Sequence, residues 1–305
     1  MTTLKHLGMA TCVAAGVMMT AGTSPAQVAN PADAMKSQAQ GTQTQPIETR
    51  YRTWEYPVIQ VNASRLPSLR EESLIGSYQQ PLWTATRRFP TTRVYVVPEG
   101  KMEMEYWLRT TVKKDGTTSY RSLYEAEFGL PNRFQLDIYY RTDQDGNDGE
   151  IYNSEQLELR YALADWGKLP GNPTLYLEWI RHDKRGEPDQ IEPKILFGGE
   201  LAQGWHWGVN FVAEYQTGGD LEREYQLCSG LSYSVRDYKL SLGGECRAAF
   251  TDTKEDRGAF SNDVQLGPSV QYRPFPQMTL NFAPLFGVTP ESNKAQLWFN
   301  AGWEF

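Results

Sequence analysis

Two carboxylates flank a predicted turn in the middle of this 305-residue sequence. Glu127 precedes and Asp137 follows Pro131-Asn132-Arg133, which has the composition of a tight turn between two extended segments. If those segments pair as antiparallel strands, Glu127 lies directly opposite Asp137, and Glu105 on the preceding segment shares their face. Like charges that face each other across a sheet repel, so the sequence predicts that other groups compensate these acids.

Arg109 and Arg160 are bases that the same alternation places on the face of the acids. Two interpretations of this cluster remain open. In the first, Arg109 and Arg160 neutralise the carboxylates and partly close the space that the strands enclose. In the second, Glu105, Glu127 and Asp137 form an acidic constriction, because carboxylates in a low-dielectric wall give a pore a preference for cations. These five residues are the candidate lumen residues.

Histidine often acts as the base of hydrolytic sites, and beyond residue 26 the sequence has two, His182 and His206. His182 lies beside Asp183 in WIRHDKRGEP, but the sequence shows no serine nearby and no hydrolase motif. His206, in GWHWG, is expected at the inner end of its strand, away from surface lipid. A lipid hydrolase is therefore the weaker alternative function, with His182 as the first residue to replace, and no catalytic residue is predicted.

The acidic stretch Asp143–Glu150 looks like a calcium-binding loop, because oxygen-bearing side chains occupy its first, third and fifth positions. The glycine that such a loop needs at position six is Asp148, and the acid at position twelve is Ser154. The stretch is therefore predicted to be a solvated loop, with weak bridging of divalent cations at the cell surface as the alternative. The sequence predicts no metal site and no cofactor.

Cys228 and Cys246 lie on two neighbouring predicted strands and raise the question of a disulfide. A two-residue turn after Val235 would pair Cys228 with Glu245 and Cys246 with Leu227. The two cysteines then point to opposite faces, and a disulfide cannot pass through a sheet. Two unbridged thiols are predicted.

The elements that carry these side chains are predicted to be strands. From about residue 93 to the C-terminus, apolar and polar residues alternate with period two in about twelve segments, each close to the length of a tilted membrane strand. Beyond the N-terminal segment no run approaches the roughly 20 apolar residues of a membrane helix, so a membrane-spanning chain would cross as strands. One such segment sets Phe134, Leu136, Ile138 and Tyr140 against Gln135, Asp137 and Arg141.

The links between the predicted strands differ in length according to whether they follow an even-numbered or an odd-numbered strand. Counted from Met102, the links after even strands are mostly short, such as Pro131-Asn132 and Gln203-Gly204. Those after odd strands are mostly longer and polar, including TDQDGNDGEIYN and TDTKEDRGAFSN. A membrane barrel has short turns at one rim and longer loops at the other. The pattern predicts an all-β fold, a transmembrane antiparallel β-barrel over residues 93–305 with both chain ends on the periplasmic side.

The closing sequence LWFNAGWEF alternates apolar and polar side chains and stops on an aromatic residue. It resembles the C-terminal signature of bacterial outer-membrane β-barrel proteins, of the porin or channel kind. The resemblance implies a location in the bacterial outer membrane, contact with outer-membrane lipids and lipopolysaccharide, and recognition by the barrel-assembly machinery. The residues that would carry this assembly signal are Leu297, Phe299, Ala301, Trp303 and Phe305.

The sequence before the barrel divides into two parts. Residues 1–26 have a basic start, an apolar stretch and a small-residue exit, and they are predicted to be a signal peptide cleaved after Ala26. Residues 27–92 form a predicted N-terminal periplasmic extension, whose first part is rich in Gln, Ala, Thr and Pro and is expected to be disordered. Its second part contains PLWTATRRFPTTR, in which Trp83 and Phe89 predict a segment that docks against the protein. A periplasmic extension and a partial plug of the pore are the two alternatives for this segment.

Acidic residues outnumber basic ones, 37 to 30, for a net charge of -7, which argues against nucleic acid as a partner. A barrel of about twelve strands is wider than the eight-stranded barrels that side chains fill, and narrower than the aqueous porins of sixteen or more. The sequence therefore predicts a passive channel for small hydrophilic solutes with a modest cation preference. A non-conducting structural or docking barrel of the envelope is the alternative.

Overall fold

The structure, a computed structural model, describes residues 70–146, 149–183 and 186–305. The predicted signal peptide, residues 1–26, and the part of the N-terminal extension before residue 70 lie outside these ranges. Asn147 and Asp148 of the predicted acidic loop also lie outside them. Among the described residues, no helix is both long and apolar enough to cross a membrane.

Within the described ranges, twelve antiparallel strands close into a barrel. Each strand pairs with the next along the chain, and the last pairs with the first, which closes the ring. The predicted all-β fold, an antiparallel barrel of about twelve strands, is confirmed. Two short strands, β1 (Leu74–Ile75) and β2 (Gln80–Pro81), pair only with each other ahead of the barrel. The barrel strands are β3 (Met102–Val112), β4 (Thr118–Gly129), β5 (Phe134–Asp145), β6 (Ile151–Ala162), β7 (Thr174–His182), β8 (Gln190–Ala202), β9 (Trp205–Gln216), β10 (Arg223–Arg236), β11 (Leu240–Asp252), β12 (Ser261–Phe275), β13 (Met278–Gly287) and β14 (Ala295–Glu304).

The outer surface of the barrel is apolar. Side chains such as Ile138, Leu177 and Phe211 point outward and are about half exposed, while their neighbours along each strand point inward. Exposing such an apolar belt to water would be unfavourable in free energy, but the belt matches the hydrocarbon of a bilayer. Closing the ring also leaves no unpaired sheet edge within the membrane, which is why strands cross bilayers only as barrels.

The connections define two rims. The inner rim carries the start of β3, the end of β14 and the turns 130–133, 203–204, 237–239 and 276–277, together with the longer link 163–173. The outer rim carries the other links, and the one between β5 and β6 is much shorter than the sequence pattern suggested. Residues 142–145 and 151–153, predicted as loop, instead belong to β5 and β6, because strand pairing continues as far as Gln144 opposite Ile151. Polar residues at these strand ends face water beyond the bilayer, so they do not interrupt the ladder.

The pairing of β10 with β11 differs from the sequence prediction by two residues. Cys228 lies opposite Arg247 and Cys246 opposite Ser229, and not opposite Glu245 and Leu227. The turn is longer than two residues, since the register shifts between Ser234 and Arg236 and Tyr238 adopts a positive φ of 56°. A shift of two preserves the faces, so the cysteines still point to opposite sides, and no disulfide joins these two described residues.

The hydrophobic core of the described molecule lies inside the barrel. Residues 70–98, which we call the plug, enter at the inner rim and fill that half of the lumen. The predicted domain boundary at residue 92 falls within this segment, and Arg93 to Val97 remain buried in the lumen. The core packs plug side chains against the wall, and it consists of Tyr78, Trp83, Phe89, Val94, Tyr95, Val96 and Ala162, with Trp166 beside them.

Glycines in the wall make room for the plug. Phe89 is fully buried against Gly230 on β10, where an added Cβ would lie 2.5 Å from Phe89 Cδ1. The backbone there is that of an ordinary strand, so the lack of a side chain serves close approach and not conformational freedom. The position of the plug therefore depends on contacts that a single methyl group would remove.

Replacing Gly230 by Ala is expected to displace the plug, because the new methyl group would overlap the buried ring of Phe89. Limited trypsin digestion of the detergent-solubilised barrel should then cut at the plug arginines, and a second change, Phe89→Ala, should restore protection. The matched control is Gly244→Ala on β11, whose Cβ would lie an ordinary 3.5 Å from the carbonyl oxygen of Gly267. Equal digestion of both glycine variants would contradict the packing described.

Candidate functional site

Five buried carboxylates lie together on the lumen face of β3, β4 and β5. In the register of these strands, Glu103 is opposite Glu127 and Glu105 is opposite Glu125. Glu127 is also opposite Asp137, so that predicted pairing is confirmed. All five side chains are almost fully buried. Their repulsion would disfavour this packing unless positive charges lay among them.

The plug supplies two of these positive charges. Arg87 Nε lies 3.0 Å from Glu105 Oε2. Its Nη2 lies 3.5 Å from Glu125 Oε2 and 3.8 Å from Glu127 Oε1. Arg93 Nη2 lies 3.6 Å from Glu125 Oε1 and 3.8 Å from Glu105 Oε2, and it also contacts Glu127. The plug is therefore held to the wall by ion pairs that are almost entirely out of water.

The barrel wall supplies a third positive charge, Arg160 on β6. Its Nη2 lies 2.9 Å from Asp137 Oδ2 and its Nε contacts Glu158. The alternation of the sequence places Arg160 on the face of the acids, and the structure brings it into contact with Asp137. Arg160 is therefore a counter-charge that the wall itself supplies to the acids.

Arg109 is not brought to the acids, so its expected role in neutralising them is not observed. It lies directly opposite Arg121 on β4, and its guanidinium stands 5.1 Å from the centre of the Trp298 ring. Arg109 is four residues along β3 from Glu105, or about 13 Å at the rise of an extended strand. This separation places it in the outer half of the lumen, away from the plug.

Oxygen atoms of the buried carboxylates come within 4.8 Å of one another in two groups of three. Carboxylates at such distances can bind a divalent cation. Here the guanidinium groups of Arg87 and Arg93 lie among the same oxygens, so the positive charge comes from the protein itself. The buried carboxylate oxygens therefore fit an ion-pair cluster with the plug arginines.

Arg88 anchors the plug to the opposite part of the wall. Its Nη2 lies 3.1 Å from His206 Nδ1 on β9, and its Nη1 donates to Gln271 Oε1 on β12 over 3.0 Å. Within the plug itself, Nη2 also lies 2.8 Å from Glu71 Oε2. The His206 ring is fully buried, and its centre lies 4.5 Å from that of Trp83. His206 thus contacts the plug inside the lumen and has no access to surface lipid.

His182 lies at the outer rim with a serine as its cross-strand neighbour. Ser154 on β6 is opposite His182 on β7, which corrects the expectation that no serine is near. The imidazole Nε2 hydrogen-bonds Gln190 Oε1 at 3.2 Å, and Nδ1 lies 3.6 Å from Glu187 Oε1. Ser154 Oγ is buried and bonds none of the described groups, so the serine and histidine do not form the hydrogen-bonded pair that activates a nucleophile.

Sequence reasoning missed Arg87 and Arg93 as the partners of the acids. The signal was present as RRFPTTR, an arginine-rich stretch ahead of a barrel with unmatched lumen acids. Charge balance alone would suggest that the two groups meet. It does not indicate which arginine reaches which acid, because that depends on how the plug turns inside the closed ring.

The proposed assembly residues lie on the last strand. Leu297, Phe299, Ala301 and Trp303 alternate along the outward face of β14 and pair with β3 across the seam that closes the barrel. Phe305 follows at the inner rim, where its backbone N–H donates to Met102 O over 2.9 Å. Its side chain is 63% exposed, so it contributes little to internal packing.

No protein-family model and no curated protein matches the chain. Among solved structures, an outer membrane channel from Pseudomonas putida F1 has a similar fold, with a TM-score of 0.52 at 10% identity over 70% of this chain and 98% of that chain. The NanC porin, at 14% identity and a TM-score of 0.46, covers 67% of this chain and 98% of its own. The first likeness shows the fold, and the second is too weak to support an argument.

A closed antiparallel ladder, an exposed apolar belt and short turns at one rim are the features that let a sheet span a lipid bilayer. The chain is therefore a transmembrane β-barrel of the kind found in bacterial outer membranes.

Proposed function

We propose that this barrel is a passive outer-membrane channel for small hydrophilic solutes, and that the plug closes its inner half in the state described. The observation that carries the proposal is the set of ion pairs between Arg87 and Arg93 of the plug and the carboxylates of the wall. These contacts are non-covalent, and the main chain joins the plug to the wall only through residues 99–101, which lead into β3 at the inner rim. The lumen beyond the plug is already a cavity of about 570 Å³.

The way the plug is attached supports a reversible closure. Its strands β1 and β2 pair only with each other, so none of the plug belongs to the ring of paired strands. Withdrawing the plug therefore leaves the barrel ladder complete. The wall face that it would expose is polar, with acids, glutamines and asparagines that water can solvate.

Withdrawal of the plug would also change the charge of the lumen. With Arg87 and Arg93 gone, the acidic cluster of Glu103, Glu105, Glu125, Glu127 and Asp137 keeps Arg160 as its neighbouring counter-charge. An excess of carboxylates in a narrow wall concentrates cations. The modest cation preference proposed for this channel is therefore a property of the open state.

Single-channel recording tests both parts of the proposal. A barrel lacking residues 27–98 should conduct steadily in planar bilayers, whereas the full chain should be closed for most of the time. In a salt gradient, the reversal potential of the shortened barrel should indicate cation preference, and that preference should fall when Glu127→Gln and Asp137→Asn are combined. Anion preference, or a reversal potential that the double change leaves unaltered, would rule out these carboxylates as the selectivity site.

A non-conducting structural barrel is the second candidate function. The observation in its favour is the apolar core that Trp83 and Phe89 form inside the lumen, which resembles the permanent core of a folded domain. A shortened barrel that assembles in the membrane but never conducts would favour this alternative. Steady conductance from it would exclude a structural role as the sole function.

A further inference from the structure

The outer half of the lumen is a cavity with a charged wall on each side. Its volume of about 570 Å³ is within the range of small-molecule binding pockets. Pro90 and Thr91 of the plug form part of its floor, and His182 and Asn293 mark its outer end. A solute entering from outside would therefore meet this cavity before the plug.

One side of the cavity, which we call the basic wall, consists of Arg109, Arg121 and Arg141. The nearby carboxylate Asp143 accepts from Arg121 Nε and Arg141 Nε, each over 2.5 Å. Arg121 and Arg141 thus share a single acid. Arg109 forms no ion pair with any described residue, and its buried Nε–H has no described acceptor. A carboxylate or phosphate group is what such a set of donors binds.

The other side, the acidic wall, consists of four carboxylates that oppose each other in pairs across neighbouring strands. Glu214 on β9 is opposite Glu224 on β10, and Glu178 on β7 is opposite Glu192 on β8. The bases beside them are Lys194, 2.5 Å from Glu192, and Arg247, 2.8 Å from Glu224. Arg247 also reaches Asp263, at 3.4 Å, so the wall keeps an excess of negative charge. The members of the acidic wall are Glu178, Glu192, Glu214 and Glu224.

The ring order places the two walls on opposite sides of the lumen. Five strands separate β3 from β9 in either direction round the ring, and the same holds for β4 and β10. Arg109 and Arg121 on β3 and β4 thus lie across the lumen from Glu214 and Glu224. A field directed across the cavity favours a solute whose own charges are separated.

We propose that this cavity binds solutes that carry a negative group at one end and a positive group at the other, such as amino acids or short peptides. The anionic end lies on the basic wall and the ammonium end on the acidic wall. A solute with only one charge gains from one wall and is repelled by the other. The inference rests on the proposed channel function, and it names the solute class.

Isothermal titration calorimetry on the detergent-solubilised full chain tests the site with three matched probes: triglycine, N-acetyl-triglycine and triglycine amide. Triglycine has both charges, and each analogue has one. Triglycine should bind at least tenfold more tightly than either analogue, which corresponds to about 1.4 kcal/mol. Comparable binding of the three probes, or no heat from triglycine, would overturn the proposal.

Two double variants test which wall binds which end of the solute. Arg109→Gln with Arg141→Gln should weaken triglycine and N-acetyl-triglycine but not the amide. Glu214→Gln with Glu224→Gln should weaken triglycine and the amide but not the acetylated probe. Heat-modifiable migration on gels confirms that each variant is a folded barrel. Because binding is measured without conduction, loss of the site with normal conductance of the shortened barrel would contradict only this inference.

Discussion

Replacing Arg87 and Arg93 together by Gln should open the full-length barrel. The change leaves Glu105, Glu125 and Glu127 buried by the plug without the two plug arginines that now contact them. One-sided loss of a buried ion pair costs about 3 to 5 kcal/mol, and this cost is avoided when the plug leaves and water reaches the acids. Since about 1.4 kcal/mol is a tenfold change, the open fraction should rise by at least about a hundredfold.

Open probability in planar bilayers measures this effect, and an exposed ion pair provides the control. Arg181 lies 3.3 Å from Glu155, with both side chains more than half exposed, and such pairs contribute little to stability. Arg181→Gln should therefore leave the closed fraction unchanged. If the arginine double variant stays closed while remaining folded, the ion pairs do not control the plug.

A reversible cross-link separates plug movement from other causes of opening. A Cβ added to Gly208 on β9 would lie 2.9 Å from Thr92 Cγ2. That is close to the roughly 3 Å between a Cβ and the far sulfur of a disulfide, as its bond lengths imply. The variant for this test combines Arg87→Gln and Arg93→Gln with T92C and G208C, and has Cys228 and Cys246 replaced by Ser. Its barrel should stay closed when the new cysteine pair is oxidised and should open on reduction. Opening in the oxidised state would show that solutes bypass the plug.

The second large effect is expected at the C-terminus, where Phe305→Ser should abolish accumulation in the outer membrane. The Phe305 side chain is 63% exposed, so its loss removes little packing from the folded barrel. We therefore expect the loss to act on recognition by the assembly machinery, with precursor cleaved by the signal peptidase but then left soluble or degraded. Cell fractionation and heat-modifiable migration measure the outcome.

A second exposed phenylalanine at the inner rim provides the control. Phe275, at the end of β12, is 59% exposed and borders the turn 276–277. Phe275→Ser removes a comparable side chain from the same rim without touching the terminal signal, and that variant should assemble. Normal outer-membrane levels of the Phe305 variant, or equal loss of both, would contradict an assembly role specific to the terminus.

Local pattern was enough to predict the barrel. Alternation with period two assigns each side chain to the bilayer or to the lumen, because successive strand residues point to opposite faces. A tight turn at 130–133 then fixed the pairing of its own hairpin, with Glu127 opposite Asp137. Where the turn was less regular the prediction was wrong, as in β10 and β11, whose register moved by two residues at Tyr238.

The amino-acid sequence by itself determined the strands, their faces and the acids that share the lumen, since these depend on neighbours along the chain. Only the tertiary structure decided what those acids meet. Arg93 reaches Glu127 because the plug turns back into the ring, and Arg109 faces Glu214 from across the lumen because β14 pairs with β3. Both arrangements depend on ring closure between distant segments, and no local periodicity encodes which residues a closed ring places together.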